Sequence, residues 1–273
     1  MWILGSIIFP CSSLFVKAMS LCTLASLAFG GSSEIRGVHL RYSKFVDVGN
    51  TPGKEEAKIG SRIGMLVVYT PAVFACFASF AVLDLRRRRS LLFISALTLH
   101  FLKRVLEVLF IHIYSGEAIL LAMIQISISY FAVVIISTYA QLLAEASATV
   151  PSVDLIVPGL FLFIVGIIGN FYHHHLLSKL RAKKKIKNNN YNGKRSYMIP
   201  RGGLFSVVTC PHYLFEILGL FGIAFISQNL SMFSFAMGSM LFLMGRSYAT
   251  KKWYLSKFDD FPANVKALIP YVF

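Results

Sequence analysis

Five charged side chains fall inside stretches that are otherwise apolar: Lys103, Arg104, Glu107, Glu216 and Arg246. A charge in such surroundings is costly unless it meets a partner or lines a wet cavity. Lys103 and Glu107 are four residues apart and share one helical face, so an internal ion pair accounts for them without any chemistry. Arg246 and Glu216 either neutralise each other between helices or face a polar cavity. The segment Tyr197–Phe205 reads Tyr-Met-Ile-Pro-Arg-Gly-Gly-Leu-Phe. Its proline stops any helix, and its glycines admit close backbone approach at the start of an apolar run. With Arg201 and a lysine-rich stretch beside it, the turn is suited to receive an anion at a helix N-terminus. Alone it is a commonplace helix start. The run His173-His174-His175 invites a metal, but consecutive helical residues point about 100° apart and cannot converge on one ion. No metal is expected there. Cys11, Cys22, Cys76 and Cys210 lie in or beside apolar runs without CxxC spacing, and read as buried, reduced and unpaired.

The elements that hold these residues must sit in lipid. Of 273 residues, 56% are hydrophobic and 14% charged, against roughly 25% charged in a soluble domain. An all-α, multi-pass membrane protein of about seven transmembrane helices follows, with candidate spans Ile3–Phe29, Ile63–Leu83, Leu91–His112, Ala118–Leu143, Leu155–Leu177, Leu204–Ile226 and Leu230–Tyr248. The first span has no basic leader and runs too long for a signal peptide, so it reads as a retained anchor. The net charge of +15 sits between the spans, as for loops facing anionic headgroups or a phosphorylated cofactor; nucleic acid is not the expected partner. Seven spans place Ser32–Arg62, Lys179–Gly203 and the tail from Ala249 on one side, with 19 of the 27 Lys and Arg. The positive-inside rule makes that side cytosolic. Arg86–Arg89, on the other side, runs counter to it. Gly30–Ser33 and Gly49–Gly53 break the first loop, and Asn188–Gly193 is a polar insert in the second. No internal repeat and no soluble second domain is visible.

Two longer stretches carry a family resemblance. Tyr197–Ile217, Tyr-Met-Ile-Pro-Arg-Gly-Gly-Leu-Phe-Ser-Val-Val-Thr-Cys-Pro-His-Tyr-Leu-Phe-Glu-Ile, and the ending Lys252–Phe273 resemble the signatures of the steroid 5α-reductase family. The likeness runs from about Leu155 to Phe273. It implies a single domain over 1–273, in which helices of 1–150 form a lipid-accessible substrate pocket and 151–273 bind NADPH. Carried over position by position, the cofactor set is Asn170, Arg181, Tyr197, Glu216, Arg246 and Tyr254, joined by His212. Steroid reductases often have Asn at the place of His212, whereas polyprenol reductases share its Cys-Pro-His-Tyr context. Thr250 stands where a steroid reductase usually has His. The physics agrees with several of these roles. Arg181 has bidentate charge for a 2′-phosphate, Glu216 has an acceptor for a ribose hydroxyl or carboxamide, and Asn170 ends a Gly-rich stretch that admits a flat ring.

The resemblance further implies reduction of a carbon–carbon double bond conjugated to a carbonyl in a lipid, a 3-oxo-Δ4-steroid foremost, at the endoplasmic reticulum membrane. The expected partners are that lipid substrate and membrane lipids. Steroid reductases hold the keto group with a Glu in the second span and a Tyr in the third; here those places carry Tyr69 and Phe101. Leu99–His112 instead resembles very-long-chain trans-2-enoyl-CoA reductases, in which a Tyr at the place of Tyr213 donates the proton, although such enzymes usually carry a ubiquitin-like domain that this chain lacks. Tyr69 and Tyr213 are therefore the candidate catalytic electrophiles, and Lys103 and Arg104 are placed near substrate or cofactor phosphate. Each tyrosine also has a plain reading as a packing or interfacial aromatic. A transporter, a receptor and a membrane methyltransferase are the other classes the spans admit.

Overall fold

The computed structural model describes residues 6–46, 56–114, 116–147, 149–187 and 197–273, with the backbone alone at 183–187. The protein is all-α, as its composition requires. Its helices are α1 (Leu14–Ile35), α2 (Ser61–Phe80), α3 (Arg88–Leu106), α4 (Leu120–Ala146), α5 (Ile156–Lys187), α6 (Pro211–Ser227) and α7 (Leu230–Lys257). α3 continues as a π-helical turn over Glu107–Ile111. Three-residue strands β1 (Lys58–Gly60) and β2 (Glu117–Ile119) pair antiparallel, Ile59 opposite Ala118, and tie the start of α2 to the start of α4.

α1, α2, α4 and the Ile156–Ala182 part of α5 are long and apolar enough to cross a membrane. They turn large side chains outward, including Phe29, Phe74, Leu121, Ile128, Phe161 and Ile168, which only lipid solvates well. α6 is apolar but has just 17 residues.

Helix boundaries depart from the expected spans in instructive places. The sixth span does not begin at Leu204. Residues Gly203–Ser206 form a 3-10 turn, and the helix starts at Pro211, whose missing N–H is harmless in a first turn. Gly202 and Gly203 hold φ of 89° and 52°, so the preceding turn needs glycine. α5 runs on to Lys187, drawing basic residues assigned to a loop into a helical extension, and α7 runs on to Lys257. Helix α1 begins at Leu14, with Ser13 Oγ accepting from Val16 N–H at 3.3 Å. Residues 49–53 and the insert Asn188–Gly193 lie outside the described residues. The four cysteines are free, but Cys22 is exposed on α1 rather than buried.

The site-bearing helices are fixed by close backbone contact. A Cβ at Gly222 of α6 would lie 2.4 Å from Phe163 N of α5, and one at Gly245 of α7 would lie 2.1 Å from Gly31 O of α1. No side chain fits at either point, so small residues let each pair approach as membrane helices do.

The arginines at odds with the charge rule have an internal use. Arg89 donates through Nη1 to Ile226 O at 2.8 Å and Gln228 Oε1 at 2.6 Å, and through Nη2 to Asp154 Oδ1 at 2.9 Å. Arg87 donates to Glu145 O at 2.8 Å. These two guanidinium groups staple helix ends together.

Candidate active site

A cavity of about 380 Å³ opens among the helices, with apolar walls that include Leu27, Met65, Leu220 and Phe235. Into it project Tyr69 of α2, Arg104 of α3, Tyr130 of α4, His174 and Arg181 of α5, and His212, Tyr213 and Glu216 of α6. Tyr197 lies on the same wall.

Helical spacing builds the charged wall. Residues three and four apart share a face, so Glu107 meets both Arg104, with Nη1 to Oε2 at 3.0 Å, and Lys103, with Nζ to Oε1 at 2.9 Å. Glu107 is 1% exposed, and a carboxylate so buried requires these partners. The π-helical turn begins at this residue, and its carbonyl accepts from His112 N–H at 2.7 Å. Such turns concentrate at functional sites. His174 of α5 reaches the same carboxylate, Nδ1 to Oε2 at 3.0 Å, with Arg104 Nη1 3.3 Å from its Nε2. A neutral His174 protonated on Nδ1 satisfies both contacts.

On its other side Arg104 donates from Nη2 to the Tyr69 hydroxyl at 2.7 Å. The direction is fixed, because a guanidinium has donors only. Tyr69 must accept, and its own proton is left free to be donated elsewhere.

Across α6 the polar groups are unspent. Neither Tyr213 nor Glu216 forms a side-chain hydrogen bond among the described residues, and His212 Nδ1 is buried without a partner. Arg181 donates from Nη1 to Ile113 O at 2.7 Å and is otherwise exposed at the rim. The Tyr197 ring sits edge-on to Trp253, 4.8 Å away.

Four residues named from the sequence stand behind the wall rather than on it. Asn170 is 3% exposed; its Nδ2 donates to His212 O at 2.8 Å and its Oδ1 accepts from Lys103 Nζ. Lys103 is thereby occupied as well, in the internal pair its spacing implied. Arg246 does not meet Glu216. Its Nη1 donates to Glu34 Oε1 at 2.6 Å and to Leu40 O, its Nη2 to Tyr42 O, and its guanidinium lies 4.3 Å from the Tyr42 and Phe45 rings. Glu34 ends α1 and carried no sequence signal. Tyr254 stacks on Phe261 at 5.2 Å. Beside it Lys44, in the 3-10 turn Ser43–Phe45, sits 4.4 Å from the Tyr254 ring centre and 5.0 Å from that of Trp253. Burial pulls the Lys44 ammonium down to about 8.

The three consecutive histidines diverge as helical geometry demands: His173 bonds Gly169 O and Leu204 N–H, His174 faces Glu107, and His175 stacks on Phe171. A different trio, Glu107, His112 and His174, brings donor atoms within 4.8 Å of one another. Arg104 lies 3.0 Å from Glu107 and from His174, so a guanidinium already supplies the positive charge there. Sequence reasoning missed Tyr130 and Lys44, and weighed His174 only as a metal ligand rather than as a partner of Glu107. Tyr130 carried a hint too, a polar tip within an apolar span.

Residues 117–273 match the family described as 3-oxo-5-alpha-steroid 4-dehydrogenase. A steroid 5-alpha-reductase of Gossypium hirsutum is 40% identical over 116 residues, covering 42% of each chain. The 3-oxo-5-alpha-steroid 4-dehydrogenase 2 of Homo sapiens is 37% identical over 115 residues, again 42% of each. An uncharacterized protein of Schizosaccharomyces pombe is 31% identical over 183 residues, 64% of this chain and 58% of that one. The chain thus matches less than half the length of the two named relatives. The family match includes the α5, α6 and α7 site residues and Tyr130. Tyr69, Lys103, Arg104 and Glu107 lie before it.

Proposed function

The chain belongs to the 3-oxo-5-alpha-steroid 4-dehydrogenase family, and from that premise we propose that it is an NADPH-dependent membrane oxidoreductase. Its reaction is reduction of the carbon–carbon double bond of a 3-oxo-Δ4-steroid, conjugated to the keto group. The bilayer is that of the endoplasmic reticulum, with the basic loops and C-terminus cytosolic. Residues 1–150 supply the substrate side and 151–273 the cofactor side.

The observation that carries this reading is the Arg104–Tyr69 hydrogen bond. It aims a tyrosyl proton away from Arg104, inside a cavity with apolar walls. Reduction of an enone builds negative charge on the carbonyl oxygen, and a donor placed there contributes on the order of 3 kcal/mol. Glu107 and His174 hold Arg104, so the donor is set before substrate arrives.

The residues present fit a phosphorylated nicotinamide nucleotide. Glu216, a carboxylate without a partner among the described residues, is matched to a carboxamide or ribose hydroxyl. Among the described residues Arg181 spends one N–H group on Ile113 O and has others to offer a phosphate, and Tyr197 lines the same cavity. When bound, NADPH supplies the hydride that goes to the β-carbon. Tyr69 holds a proton at the carbonyl oxygen. Tyr213, whose hydroxyl makes no hydrogen bond among the described residues, holds the proton that the α-carbon needs to complete the saturated product. The apolar wall takes the body of the lipid and excludes water.

Microsomes containing the protein, NADPH and a panel of 3-oxo-Δ4-steroids, polyprenyl carbonyls and trans-2-enoyl-CoAs test the proposal. NADPH-dependent saturation of the steroid is the expected result; conversion of the enoyl-CoA instead moves the enzyme to fatty-acid elongation. A saturating ligand at 100 times its Kd raises stability by about 2.7 kcal/mol, so NADPH should also protect the detergent-solubilised protein from heat. Indifference to NADPH in both assays refutes the redox reading, and protection by S-adenosylmethionine would replace it with methyl transfer.

A further inference from the structure

Tyr130 projects from the middle of α4 into the cavity, and its ring is held on three sides. The Tyr69 ring lies 5.8 Å away with planes 14° apart, Phe101 lies at 5.4 Å, and Phe235 stands edge-on at 6.3 Å and 88°. A tyrosine packed this way has little freedom to swing its hydroxyl toward water. Tyr130 is half-buried, and among the described residues its hydroxyl, on the wall of the cavity, makes no hydrogen bond. An acceptor delivered into the cavity would satisfy it. Tyr69, the nearly parallel neighbour, already presents a donor proton by virtue of Arg104. A carbonyl oxygen has two lone pairs, and two donors aimed at one oxygen form an oxyanion hole.

Building on the reductase reading above, we propose that Tyr130 is a further catalytic residue, the second hydrogen-bond donor to the carbonyl oxygen of the substrate, paired with Tyr69. The site would then select carbonyl-bearing lipids over otherwise identical ones in which that oxygen is missing, because the deoxygenated lipid displaces water from both phenols and offers them no acceptor.

Tyr130→Phe removes the hydroxyl and keeps the ring that Tyr69, Phe101 and Phe235 pack against. The expected outcome is a roughly 100-fold fall in kcat/KM with NADPH protection against heat unchanged. Tyr139→Phe, on the same helix with its ring 43% exposed, should leave both unchanged. A second measurement does not use turnover: equilibrium binding of a 3-oxo-4-ene steroid and of its 3-deoxy counterpart. The wild-type protein should prefer the ketone by roughly tenfold, and Tyr130→Phe should erase most of that preference. Unchanged turnover together with an unchanged ketone preference in Tyr130→Phe overturns the assignment and leaves the reductase reading standing. A protein that ignores NADPH yet shows a Tyr130-dependent ketone preference supports this subsite and refutes the redox reading.

Discussion

Arg104→Lys separates charge from shape at the centre of the site. Arg104 serves two acceptors at once, Glu107 Oε2 at 3.0 Å through Nη1 and the Tyr69 hydroxyl at 2.7 Å through Nη2. Lysine keeps the charge but has one nitrogen on a flexible stem, so it cannot span both. The carboxylate will win, since an ion pair at that depth outweighs a bond to a neutral phenol. Tyr69 then loses its fixed donor direction while keeping its hydroxyl. If Tyr69→Phe costs about 3 kcal/mol of transition-state stabilisation, loss of orientation alone should cost about half, or roughly 10- to 20-fold in kcat. The assay is the initial rate of NADPH-dependent steroid reduction in microsomes, normalised to NADPH-protected protein, with kcat and KM resolved separately. The double variant should be slower than Tyr69→Phe by no more than about twofold, because Arg104 acts through a hydroxyl that is no longer there. Wild-type kcat in Arg104→Lys, or fully additive losses in the double variant, would refute the idea that Arg104 orients Tyr69.

Three further outcomes are expected. Glu34→Gln leaves Arg246, 2% exposed, without its ionic partner and removes the acceptor for His39 Nδ1 at 2.6 Å; breaking such a buried pair costs about 3–5 kcal/mol, read as a lower melting temperature in detergent. Gly222→Ala forces a methyl within 2.4 Å of Phe163 N, so α5 and α6 must part by about 1 Å at a cost of roughly 1–3 kcal/mol; an unchanged melting temperature would contradict that contact. Arg181→Ala, at the cavity rim, should raise the KM for NADPH by roughly tenfold and change saturated turnover little, checked by NADPH titration against saturating steroid.

Several of these residues were legible from the chain alone. Apolar run length implied the helices, and charge within an apolar run drew attention to Lys103, Arg104, Glu107, Glu216 and Arg246. The Lys103–Glu107 pair followed from helical spacing. What spacing could not supply was any contact between distant segments. Arg246 finds Glu34, 212 residues away, where sequence reasoning offered only Glu216. Asn170 turned out to be spent on Lys103 and on the His212 backbone, and the start of α6 moved to Pro211 because a 3-10 turn with two positive-φ glycines consumed the residues before it.

The sequence by itself determined that this is a helical membrane protein of the steroid-dehydrogenase family, because lipid solvation and helix formation depend on residues near one another in the chain. Which hydroxyls share the cavity, which arginine aims a proton and which ones merely pin helices together were decided only in the tertiary structure. Hydrogen-bond direction and burial depend on neighbours that folding brings together from α2, α3, α4 and α5, and no local pattern records them.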